Sequence, residues 1–143
     1  PFRVTLEYRI PEFARRAGDV FILTPLLAAN PFGDFFHAPE LSTNTGSEEK
    51  TYGFRQRCSR LVELDEDITL PATMTPVTLP DETRIESDAA SFSGAVTVTG
   101  TTLRFAATHR MEKRMYDAED WPAFRAALLA RKRFSESPVI LSK

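Results

Sequence analysis

Alternation of apolar and polar side chains with a period of two recurs along most of this chain, and it restricts the fold more than any other feature. Phe2, Val4, Leu6, Tyr8 and Ile10 alternate with Arg3, Thr5, Glu7 and Arg9, the pattern of a strand with one wet face. Later, Phe92, Val96 and Val98 alternate up to Gly100 and Thr101, and Leu103, Phe105, Ala107, His109 and Met111 alternate after them. Two such runs separated by two residues, the first a glycine, predict an antiparallel hairpin with a type II′ turn.

The segments between follow the same logic. Pro11 stops the opening strand. Gly18 and Asp19 predict a turn before Val20–Leu23, a continuous apolar run expected to be buried on both sides. From residue 28 to 50, Asn30, Pro31, Gly33, Pro39, Asn44 and Gly46 break regular structure, and Phe32, Phe35 and Phe36 are expected to pin a long loop to the core. A long strand is read through Tyr52, Phe54, Cys58, Val62 and Leu64, with Arg55, Arg57, Ser59 and Glu63 on its other face. Asp65, Glu66 and Asp67 read as an acidic turn, and Pro71, Pro76 and Pro80 mark edge strands, where a missing donor does least harm.

Near the end the period changes. Trp121, Phe124 and Leu128 fall at i, i+3 and i+7, which predicts an amphipathic helix over about 118–133. Asp117 or Asp120 can cap it, Pro122 fits only its first turn, and Arg125, Arg131 and Lys132 are assigned to the solvent side. Val139, Ile140 and Leu141 predict a final short strand. The fold class is therefore mainly β: a single antiparallel β-sandwich domain over 1–143 with one C-terminal α-helix. The alternative is an eight-strand β-barrel.

Composition limits the function. The 143 residues carry 18 Lys and Arg against 20 Asp and Glu, a net charge of −2, so no global field recruits nucleic acid or an anionic membrane. No apolar run approaches a membrane span. The single cysteine, Cys58, rules out an internal disulfide; its phase beside Phe54 and Val62 predicts a buried core thiol, not a nucleophile. His37 lies in the long loop, and His109 is read as a satisfied core or rim histidine. Neither has metal-ligand spacing, and Glu63, Asp65, Glu66 and Asp67 lack the glycine and final glutamate of an EF-hand loop. No catalytic, cofactor or metal residue is assigned. The candidate interaction surface is Tyr52, Phe54, Arg55, Arg57 and Tyr116, which would take a glycan or a peptide if the rings were accessible beside the arginines. A free-standing hydrolase would instead need Cys58 in a cleft within reach of a histidine.

A set of short motifs in fixed order adds a resemblance. Leu23, Thr24, Pro25 is followed by Asn30, Pro31, Phe32. An arginine-led strand at Arg57–Leu64 leads to Ile68, Thr69, Leu70, Pro71 and a second Leu79, Pro80. A strand enters Tyr116, and the aromatic helix Trp121–Phe134 precedes Val139–Lys143. Together these resemble the C-terminal domain of unknown function of bacterial, especially Bacteroidetes, transglutaminase-like proteins. The resemblance implies a β-sandwich that follows a transglutaminase-like domain of papain-like cysteine chemistry in periplasmic or cell-surface proteins. The Cys, His and Asp of that chemistry belong to the preceding domain, so Cys58 inherits no role. With Pro1 in place of Met and no apolar leader, the chain is expected to be a C-terminal fragment of a larger multidomain protein, its partner the upstream domain.

Overall fold

A computed structural model describes residues 11–25 and 43–143. The expected opening strand Phe2–Ile10, the aromatic anchors Phe32, Phe35 and Phe36, and His37 lie outside the described residues.

Ten strands and one α-helix make up the described fold, with every strand pair antiparallel. The largest sheet has the order β4 (Arg60–Thr69), β8 (Thr102–Met111), β7 (Ala90–Thr99), β6 (Thr83–Ile85). A second has the order β1 (Arg15–Ala17), β2 (Val20–Leu23), β10 (Val139–Ser142), β5 (Thr75–Thr78). The third is a two-stranded pair, β3 (Phe54–Arg55) with β9 (Met115–Tyr116). The largest sheet ends in β4 and β6 and the second in β1 and β5, so neither closes on itself and the barrel alternative is set aside.

The β7–β8 hairpin is the centre of the molecule. Its ten-residue register is unbroken from Thr99↔Thr102 to Ala90↔Met111. Gly100 has φ 58° while Thr101 stays outside the positive-φ region, which fits a II′ turn; a I′ turn would need positive φ at both. Gly18, at φ 65°, makes the equivalent two-residue turn between β1 and β2. Leu103, Phe105, Ala107, His109 and Met111 are all buried, so the alternation read from sequence is the inner face of β8.

That inner face is covered in two halves. At the Leu103 end the second sheet lies across it, burying Leu23, Leu70, Leu103, Val139 and Leu141 together. At the Phe105–Met111 end the cover is α1 (Trp121–Glu136) with the β3–β9 pair, through Trp121, Phe124, Leu128 and Phe134. The sandwich is thus completed by a helix where the second sheet stops. Apolar burial of this kind contributes about 25 cal/mol per Å² removed from water.

Five expectations need correction. Cys58 is exposed, because no continuous strand joins Tyr52 to Leu64: β3 pairs with β9, β4 pairs with β8, and Cys58 sits in the link that crosses between them. Asp65, Glu66 and Asp67 are not a turn but the middle of β4, held in register with Ala106, Phe105 and Arg104. Their alternation sends Asp65 and Asp67 to the outer face, where Arg104 pairs with Asp65. Arg131 is buried rather than solvent-facing, since it lies at i+3 from Leu128 and i+4 from Ala127 on the core stripe. Of Val20–Leu23 only Leu23 is fully buried, because this sheet has just one face against the core. The helix runs to Glu136, three residues beyond the expected end, and a 3-10 turn at Ala118–Asp120 precedes it.

Candidate functional site

The sequence-derived surface, Tyr52, Phe54, Arg55, Arg57 and Tyr116, lies where β3 and β9 meet the start of α1. Phe54 stands opposite Tyr116 in the register, and the two rings stack at 4.8 Å with 7° between their planes. Trp121 and Phe124 approach Phe54 edge-on at 5.3 and 5.1 Å, so one helical turn completes a four-ring box. Tyr116 is 3% exposed, and its hydroxyl accepts a hydrogen bond from the Lys113 amide at 3.3 Å. Burial pushes that hydroxyl's pKa above the ordinary tyrosine range. The close approach of strands β3 and β9 rests on Gly53, where a β-carbon would fall 2.7 Å from the Tyr116 carbonyl oxygen.

Residues 43–50 lie over the outside of this box. Trp121 Nε1 donates to the Ser47 carbonyl at 3.0 Å, and Arg125 Nε donates to the Thr45 carbonyl at 2.7 Å. Lys50 Nζ sits 4.2 Å from the centroid of Trp121, a cation over the ring face. A second lysine, Lys113, donates to both oxygens of Asp120 at 2.9 and 3.1 Å. The same carboxylate accepts the Asp117 amide at 3.0 Å, which caps the helical entry. The Lys113 hydrogen bond, then the Asp117 amide, hold Asp120 below the usual carboxylate range, and Lys113 is raised by its bond to Asp120.

The five candidate residues therefore divide. Phe54 and Tyr116 stack on each other beside the helix, Tyr116 buried and Phe54 half-buried. Arg55, Arg57 and Tyr52, the last 80% exposed, remain on the surface. Sequence reasoning missed Met115, which is 66% exposed directly opposite Arg55; its strand was read only as an approach to Tyr116. It missed Lys50 as well, because no pattern in residues 43–50 points to Trp121, more than seventy positions away.

The chemically reactive side chains are arranged differently. Cys58 Sγ lies 3.4 Å from Arg60 Nη2 on the surface, whereas His109 is buried on the inner face between the register positions of Val62 and Phe92. Among the described residues no group of three or more His, Cys, Asp or Glu is placed to hold a metal ion. No helix among them is long and apolar enough to cross a membrane.

Fold and surface together define a helix-covered β-sandwich module whose candidate site is an exposed apolar and cationic patch over an aromatic box. The profile of the domain of unknown function with a solved structure, DUF3858, matches residues 22–141, and the chain belongs to that family. Among solved structures, it is similar to one named "putative protease" from Parabacteroides distasonis ATCC 8503, with a TM-score of 0.61 and 14% sequence identity. The match covers 72% of this chain but only 20% of the other, so this chain spans about one fifth of that protein's length. At that identity the likeness is one of fold. No curated protein matches the sequence.

Proposed function

We propose that this domain is a non-catalytic accessory module that packs on, positions or supports a transglutaminase-like domain of cysteine-protease type in the same polypeptide. The parent, on this reading, works in the periplasm or at the cell surface, and the domain needs no cofactor. The observation that carries the proposal is the Arg55 and Met115 pair. The inner side of the β3–β9 ribbon is filled by the aromatic box, while its outer side offers an apolar side chain beside a guanidinium. Exposed apolar area rimmed by charge is what inter-domain contacts use. The motif resemblance and a longer structural neighbour, named for a protease and matched over 20% of its length, support the same reading.

The test has two parts. The coding region in frame upstream is expected to encode a Cys, His and Asp transglutaminase-like domain, and a stop codon there would remove the basis of the proposal. In the intact parent protein, Met115→Glu is expected to lower the melting temperature of the neighbouring domain while the isolated β-sandwich melts as before. Equal melting of the neighbour with and without the substitution would show that this surface does not support it.

A further inference from the structure

A groove of about 350 Å³ runs between α1 and β6, on a side of the helix that the aromatic box does not use. Its apolar floor is Ile85, Ala126 and Leu129, and Arg125 and Arg133 stand along it. Arg125 uses its Nε for the Thr45 carbonyl, which leaves its two terminal nitrogens as donors. Among the described residues neither guanidinium has a carboxylate partner. Beside the groove, β6 is the last strand of its sheet among the described residues, with Thr83 and Ile85 half-buried. A strand edge that no described residue pairs with, an apolar floor and two lining cations select for one kind of occupant.

We infer that this groove binds an extended acidic segment of a partner protein, added as a strand beside β6 with its carboxylates on Arg125 and Arg133. The spacing fixes the pattern. The two arginines lie eight positions apart on the helix, about 12 Å along the axis. In a strand, side chains four positions apart share a face and lie about 13–14 Å apart, so acid-x-apolar-x-acid matches both cations. The central apolar side chain then meets Leu129 and Ala126. Strand addition supplies main-chain hydrogen bonds, and the two Arg–carboxylate pairs supply selection. The inference goes beyond the accessory role, and it holds whichever protein carries the segment.

The experiment titrates the ¹⁵N-labelled 143-residue chain with acetyl-Thr-Glu-Thr-Val-Thr-Glu-Thr-amide and follows amide shifts. Saturable shifts are expected at Thr83–Ile85 and at Arg125–Arg133, and the peptide with Gln at both Glu positions should bind about ten-fold more weakly or worse. Arg133→Gln is expected to weaken binding to a similar degree, and Ala126→Glu to abolish it. Both positions are exposed, and unchanged shifts elsewhere confirm that these variants fold. Absent shifts, equal binding of the Gln peptide, or no effect of Arg133→Gln would overturn the inference. So would shifts on α1 alone that acetate reproduces at matched carboxylate concentration, since that is anion binding without a strand.

Discussion

The ring of Phe134 occupies the space that a side chain on residue 94 would need: a β-carbon at Gly94 would lie 2.7 Å from Phe134 Cε1. The ring cannot step aside, because Phe92 and Phe105 flank it at 5.7 and 4.8 Å. Glycine in the middle of β7 therefore lets α1 seat directly on the sheet.

Gly94→Ala is accordingly expected to destabilise the domain by roughly 1–3 kcal/mol, the usual cost of overpacking. Urea unfolding should show a lower midpoint with an unchanged slope. Pairing it with Phe134→Leu should recover part of the loss. Strict additivity of the two substitutions would mean that the contact is not the cause.

The Lys113 and Asp120 pair gives stability a dependence on pH at both ends. Asp120 is held below its ordinary pKa of 3.8 in the fold, so its contribution is present above that value and fades as pH falls below it through the folded pKa. Lys113 is raised above 10.5, so its contribution is full below that pH and fades as pH climbs past it. Asp120→Asn should flatten this part of the acid limb in a plot of unfolding free energy against pH. An unchanged slope between wild type and variant would remove the pair from the account.

Trp121 is the chain's single tryptophan and is 0% exposed, so its fluorescence reports on residues 43–50 above it. Lys50→Ala removes the cation over the ring and should cost about 0.5–1 kcal/mol. Acrylamide should then quench the emission more readily. Identical quenching before and after substitution would indicate that Lys50 does not hold this segment down.

Cys58 should react with a disulfide reagent in the folded state, without denaturant, because its side chain is exposed. Labelling should leave the thermal midpoint unchanged, as the thiol packs against no core. Protection until global unfolding would contradict its placement in the β3–β4 link.

The elements legible in the sequence were those whose pattern is local. The β7–β8 hairpin could be read because a glycine at the turn and an unbroken phase fix its register without reference to the rest of the chain. The helix was equally plain, since Trp121, Phe124 and Leu128 repeat at its own period. Cys58 was misplaced because its phase is right for both flanking strands and only the pairing partners reveal the break between them. The Asp65–Asp67 stretch was misread because charge density suggested a turn, whereas an edge strand with a wet outer face accepts acids at every second position. The burial of Tyr116 within the candidate surface was not legible: the stacking that buries it depends on a strand pair of two residues each. The α1–β6 groove had no signature at all, as Arg133 also satisfies the preference for cations near a helix C-terminus.

Strand β10 follows the helix in the chain yet lies between β2 and β5 in its sheet. Two outer pieces made much earlier must therefore wait for residues 139–142 to leave the ribosome before they are joined. The β7–β8 hairpin and α1 both precede β10 in the chain, so their residues are complete while the second sheet still lacks the strand that joins its halves. Loss of those four residues would leave β2 and β5 without a common neighbour, a split that a chaperone or protease would meet as exposed edges.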